Sequence, residues 1–189
     1  AIAEAMLSHD AIAPTVTDPV GEATIESGAG GKCRIIANFG VGVNHIDSKA
    51  ASRHGMIITN TPGVLTDATA DIALTLMLMT MRRAGEGERE LRAGEWSGWR
   101  PTHLLGQQVT GKTLGIIGMG RIGKATARRA ALGFGMKIVF YNRSTVNDCG
   151  DFEGEQLPTV EAVCQHADLV SLHCPGGEET RHILGEKAL

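Results

Sequence analysis

The chain has 189 residues, 42% hydrophobic, 4% aromatic and 21% charged, with a formal net charge of −3 at pH 7. This balance describes a globular chain with no bulk bias toward polyanions, which speaks against a nucleic-acid partner. With aromatics scarce, the core must rest on Ala, Val, Ile, Leu and Met, which suits helices packed on a parallel sheet better than a β-sandwich. No basic segment followed by a long apolar run opens the chain, and its longest apolar stretch, 68–81, contains Asp71. That stretch falls short of the about 20 residues a membrane-spanning helix needs, so no membrane association and a cytoplasmic location are expected. Cys33, Cys149, Cys164 and Cys174 lack C-x-x-C spacing. They read as reduced packing thiols, and no metal site is expected.

In chain order, residues 34–38 (Arg-Ile-Ile-Ala-Asn) predict a buried strand. Asp47 is placed to cap a helix over 48–54 that Gly55 ends. Residues 56–59 predict the next strand, and Asn60-Thr61-Pro62-Gly63 a turn. A helix begins near Asp67, where Ile72, Ala73, Leu74, Leu76, Met77, Leu78 and Met79 are apolar nearly all round, as in a helix enclosed between two domains. Arg82 and Arg83 complement its C-terminal dipole. Residues 84–108 read as a partly helical connection whose Trp96 and Trp99 pack it onto its own domain.

The most informative segment follows. The apolar run 113–117 leads into Gly118-Met119-Gly120-Arg121-Ile122-Gly123 and then a helix with small residues at Ala125, Ala127, Ala130 and Ala131. A strand, a Gly-rich turn and a helix N-terminus together form a site for a dinucleotide pyrophosphate, because unpaired amides and the helix dipole both favour an anion. Gly118 allows the tight turn, Gly120 the close approach of backbone to phosphate, and Gly123 the packing of helix on strand. Gly133 and Gly135 punctuate the helix, and residues 136–141 predict a second strand that completes a βαβ unit. At its end an NAD enzyme usually carries Asp or Glu for the ribose 2′-hydroxyl, but this chain has Asn142-Arg143-Ser144. Arg143 suits a 2′-phosphate that a carboxylate would repel, so NADP is favoured and NAD is the alternative. Further on, residues 157–166 predict a helix capped by Thr159, and residues 169–172 a third strand. Cys174 beside His173 reads as a packing residue and not as half of a nucleophilic pair.

Four ordered blocks carry a family resemblance: Asn38-Phe39-Gly40-Val41-Gly42-Val43-Asn44-His45-Ile46-Asp47, Thr59-Asn60-Thr61-Pro62-Gly63 with Thr66-Asp67-Ala68-Thr69-Ala70-Asp71, the Gly118 to Gly123 turn, and Leu172-His173-Cys174-Pro175 with Thr180-Arg181-His182. Together they resemble the D-isomer-specific 2-hydroxyacid dehydrogenases, and among these the glyoxylate and hydroxypyruvate reductases. The resemblance implies an α/β architecture: residues 1–62 as part of a flavodoxin-like substrate domain, and 63–189 as part of a Rossmann-type doubly wound parallel sheet, with 63–83 an interdomain helix. It implies hydride transfer from NAD(P)H to a small 2-oxo acid, giving the D-2-hydroxy acid, in a homodimer formed through the nucleotide domain. An NAD-dependent phosphoglycerate or formate dehydrogenase relative, or a dinucleotide-sensing co-regulator, is the alternative.

By the same resemblance, Val41 and Gly42 hold the substrate carboxylate. Thr69, Gly118, Gly120, Arg121, Ile122, Gly123, Asn142, Arg143, Ser144, Cys174, Pro175 and Thr180 line the cofactor. For Thr69 a mid-helix hydroxyl bonded back to its own chain is the competing reading. The family's catalytic Arg, Glu and His fall beyond the third nucleotide-binding strand, so no catalytic residue is expected among these 189. The chain is read as a piece, itself inactive, of a protein of about 310 to 330 residues.

Overall fold

The computed structural model describes residues 1–188. They form two compact units: Ala1–Val64 with Pro175–Arg181, and Leu65–Cys174 with the residues from His182 onward. The expected division at 62/63 assigned all of 63–189 to one domain, whereas Pro175–Arg181 groups with the first unit. Leu189, the last residue of that expected domain, lies outside the described residues.

The first unit contains α1 (Ile2–Ser8), β1 (Ala11–Ile12), α2 (Glu22–Gly28), β2 (Ile35–Ala37), α3 (Ser48–Arg53) and β3 (Ile57–Thr59). Its strands run parallel in the order β1-β2-β3. Met6, Val20, Ile25, Cys33, Ile36, Ile46, Ala50 and Met56 form its core. The pleat sends Ile36 into that core and its neighbours the other way, so Ile35 is exposed and Ile57 is 61% exposed. The strand at 34–38 is therefore buried on one face only, because this unit's helices build a core on a single side. Asp47 caps α3 as predicted, accepting from the Ala50 N–H at 2.8 Å, a contact worth about 1 kcal/mol. Gly55, at φ 66°, ends the turn after it.

The second unit contains α4 (Thr66–Met81), α5 (Ala84–Arg92), β4 (Thr113–Ile117), α6 (Arg121–Phe134), β5 (Lys137–Tyr141), β6 (Glu155–Gln156), α7 (Val160–His166) and β7 (Leu169–Leu172). All pairings are parallel, in the order β6-β5-β4-β7. Counted within the unit this is 3-2-1-4, the half-order of a Rossmann sheet, with its switch point between β4 and β7. The sequence predicts three strands after Gln108. The described residues after it form four, because Glu155 and Gln156 pair with Val139 and Phe140 as a short polar edge.

Alternation along the central strands divides the core. Leu114, Ile116, Ile138 and Phe140 join α4 and α6 residues in one cluster, and Ile117 and Val139 join Val160 and Val163 of α7 in another. Each such buried aliphatic side chain contributes roughly 1.5–3 kcal/mol. Gly115 lets α7 approach, since a Cβ there would lie 2.6 Å from Val163 Cγ1. Helix α4 buries Ala70, Leu74, Met77 and Met81 and leaves Ile72 and Leu76 exposed. Arg129 of α6 ties the two helices, pairing with Asp67 at 2.8 Å and with Asp71 at 2.9 Å.

The expected packing of the tryptophans does not occur. Trp96 is 55% and Trp99 83% exposed, and α5 buries no residue. The segment after α5 is held by polar contacts instead: Glu90 accepts from Arg100 at 2.8 Å and pairs with His103 Nε2 at 2.5 Å.

Candidate functional site

In the second unit the Gly-rich turn lies at the carboxyl end of β4, beside the switch point where ligands of open α/β sheets bind. Gly118 has φ 98°, and a Cβ there would stand 2.5 Å from the Cys174 backbone nitrogen. Only glycine therefore lets the ends of β4 and β7 meet so closely. At Gly123 a Cβ would lie 2.2 Å from the Gly118 carbonyl oxygen and 3.2 Å from Ile116 Cγ2, which fits its expected role in helix–strand packing. Gly120 differs from both: its φ is −79° and a Cβ would meet nothing within 4 Å. Its glycine leaves open the space in front of the helix.

Gly120 is the N-cap of α6 and supplies no side-chain cap, and the first turn carries no acidic residue. Lys124 N–H already reaches the Gly120 carbonyl at 2.9 Å, while the amides of Arg121, Ile122 and Gly123 have no acceptor among the described residues. Three amides at the positive end of a 14-residue helix suit an anion, and a dinucleotide pyrophosphate fits this cradle.

Asn142, Arg143 and Ser144 follow β5. Asn142 Oδ1 accepts from the Met119 N–H at 3.1 Å, and its Nδ2 donates to the Ser144 carbonyl at 3.0 Å. The Gly-rich turn and the end of the second strand are thus one hydrogen-bonded piece. Gln156 of β6 braces the same loop, donating to the Asn142 and Ser144 carbonyls at 3.2 and 3.1 Å and accepting from the Val146 N–H at 2.9 Å. Arg143 and Ser144 are exposed at its tip.

At the end of β7, Ser171 Oγ and His173 Nε2 lie 2.9 Å apart, as residues two apart on an extended chain share a face. Burial lowers the His173 pKa and favours its neutral form. Sequence reasoning compared His173 with Cys174 and missed this partner, which the period of two predicts. All four cysteines, Cys174 included, are free thiols.

In the first unit, residues 40 and 41 bend the chain shortly after β2, and Gly42 continues it. Neither Gly40 nor Gly42 takes a positive φ, so the turn has no left-handed residue. Glycine at 40 is explained by Val16, whose Cγ1 would lie 2.7 Å from a Cβ. The amides of Val41, Gly42 and Val43 donate to no acceptor among the described residues. Nearby, a Cβ on Gly176 would lie 3.5 Å from Asn44 Nδ2, so the segment 175–181 runs beside the residues following this turn. Thr180 Oγ1 donates to the Pro175 carbonyl at 2.7 Å and closes that segment on itself. Thr69, in the second unit, donates its hydroxyl to the Leu65 carbonyl at 2.9 Å, the back-bonded arrangement.

The model of the NAD-binding domain of D-isomer specific 2-hydroxyacid dehydrogenases matches residues 74–189. The chain belongs to this family. A glyoxylate reductase from Thermococcus litoralis is 45% identical over 184 residues, which are 95% of this chain and 55% of that protein. One from Korarchaeum cryptofilum is 44% identical over 189 residues, 100% of this chain and 56% of the relative. The crystal structure of a glyoxylate reductase from Paecilomyes thermophila superposes with a TM-score of 0.83 at 35% identity, covering 95% of this chain and 54% of that one. The chain spans about half the length of the curated relatives it matches. As a family member it has a Rossmann-type unit for a nicotinamide dinucleotide. No helix among the described residues is long and apolar enough to cross a membrane.

Proposed function

We propose that this protein transfers a hydride from NADPH to a small 2-oxo acid, glyoxylate or hydroxypyruvate, giving the D-2-hydroxy acid. The observation that carries this reading is the row of unpaired amides at the start of α6, opened by Gly120 at the switch point of a sheet in this family. In this reading Gly118, Gly120, Arg121, Ile122 and Gly123 hold the pyrophosphate, and Asn142 fixes the loop that presents Arg143 and Ser144 to a ribose phosphate. Thr69, Cys174, Pro175 and Thr180 line the remainder of the cofactor, which supplies the hydride chemistry when bound. The amides of Val41 and Gly42 hold the substrate carboxylate as charge-assisted donors.

NADPH is preferred over NADH because no carboxylate stands at 142–144, directly after β5, where one would bond the 2′-hydroxyl and repel a 2′-phosphate. The free thiols support a cytoplasmic location. The protein acts as a homodimer through its nucleotide unit, a reading supported by the exposed Leu91, Trp96, Trp99 and Leu105 in and after α5. Steady-state reduction of glyoxylate and hydroxypyruvate with each cofactor tests the activity, and the expected result is a higher kcat/KM with NADPH. Preference for NADH would sink the assignment of Arg143, and failure on both acids the substrate class. Sedimentation equilibrium tests the dimer, which a monomeric species at all concentrations would refute.

A further inference from the structure

Asn38 closes β2, is 2% exposed, and belongs to none of the contacts assigned above. Its Nδ2 donates to the carbonyl oxygens of Gly40 at 3.0 Å and Gly42 at 2.9 Å. The amide orientation is fixed by these partners, since the reversed amide would set its oxygen against both carbonyls. From elsewhere in the unit, Asn60 Nδ2 donates to the Val41 carbonyl at 3.0 Å, and the Thr61 N–H to that of Gly40 at 3.1 Å. Every carbonyl of residues 40–42 is thereby engaged by residues of the same unit.

In a trans peptide the carbonyl of one residue and the N–H of the next point in opposite directions within one plane. Holding the carbonyls of Gly40, Val41 and Gly42 therefore fixes the N–H groups of Val41, Gly42 and Val43, the three that find no acceptor among the described residues. A bond accepted by a peptide carbonyl also polarises that peptide and strengthens its N–H as a donor. Asn38 Oδ1 is buried with no partner among the described residues, a desolvation cost that an apolar side chain of the same shape would not incur. Simple filling of the core is thus a poor account of an amide at this position.

We propose that Asn38 and Asn60 are positioning residues that aim the backbone amides of the 41–43 turn at a substrate carboxylate. They act through the turn and touch no substrate. The benefit is preorganisation: donors already set toward the anion need no rearrangement when it arrives. This proposal rests on the carboxylate reading of Val41 and Gly42 given above.

The test is an amide-resolved NMR titration of the 189-residue chain with oxalate, a two-carbon carboxylate probe. In the wild type the amides of Val41, Gly42 and Val43 are expected to shift saturably. Asn38→Ala, which removes two donated bonds, is expected to weaken oxalate binding by about tenfold or more. Asn60→Ala removes one bond at an exposed position, so binding is expected to fall about threefold to tenfold with the melting temperature unchanged. A purely structural role for Asn60 would leave the oxalate-induced shifts alone. Should Asn38→Ala fail to fold, Asn60→Ala carries the test by itself. Wild-type affinity in every folded variant would overturn the positioning role while leaving the carboxylate site standing. No shift in the wild-type turn would overturn the carboxylate reading, and this proposal with it.

Discussion

Gly120 and Gly123 lie three residues apart in one motif, yet the structure gives them opposite sensitivities. A Cβ at Gly123 would stand 2.2 Å from the Gly118 carbonyl oxygen and 3.2 Å from both the Gly118 carbonyl carbon and Ile116 Cγ2. These neighbours are backbone and core, so neither side has a flexible end to move aside. Gly123→Ala must lift α6 off β4, and overpacking of this kind costs about 1–3 kcal/mol. For a chain of this size, the corresponding fall in melting temperature is roughly 2–12 °C. At Gly120 a Cβ meets nothing within 4 Å, so Gly120→Ala costs only the weaker N-cap preference of Ala, about 0.5–1 kcal/mol. The added methyl instead occupies open space at the start of α6. If a phosphate uses that space, losing one charge-assisted contact costs about 1.5–3 kcal/mol, or roughly ten- to a hundredfold in Kd. Thermal unfolding by circular dichroism and NADPH titration by fluorescence measure the two quantities separately. The reasoning is refuted if Gly123→Ala melts with the wild type, or if Gly120→Ala binds NADPH with wild-type affinity.

Three further outcomes are expected. Arg143→Ala should weaken NADPH binding severalfold and leave NADH binding unchanged, as read by the same titration; equal losses for both cofactors would refute a 2′-phosphate role. Asp47→Ala should cost about 1 kcal/mol through loss of the α3 cap, measured by urea unfolding, and an unchanged midpoint would contradict the observed bond to Ala50. Burial lowers the folded-state pKa of His173, so the unfolded chain takes up its proton first as pH falls. Its contribution to stability is therefore intact above about pH 6.5 and is lost as pH drops below that value toward the folded-state pKa. Urea unfolding across this range should show a decline that His173→Gln reduces, and parallel profiles for the two proteins would exclude His173 as the source.

Much of the nucleotide unit was legible because its signals are local. The apolar run before Gly118, the cap at Thr159 and the strand at 169–172 are each set within a few residues, and the structure places them where the pattern does. The edge strand at Glu155–Gln156 was not legible, since two polar residues carry no periodicity and become a strand only by pairing with β5. The tryptophans were misplaced for a related reason. Bulk and apolarity predict burial, but the segment after α5 is fixed by Glu90, Arg100 and His103, which leaves Trp99 outside.

The sequence by itself determined that a Gly-rich turn stands between a strand and a helix, that the three residues directly after the second strand carry no carboxylate, and which family the blocks resemble. These conclusions depend on residue type and short spacing, which set backbone conformation and charge directly. Tertiary structure alone decided which side chains hold those turns in place. Asn60 reaches Val41 across 19 positions, Met119 is tied to Asn142 across 23, and Pro175–Arg181 joins the unit begun at Ala1. Such pairings have no local signature, because they exist only once separate strands have brought their ends together.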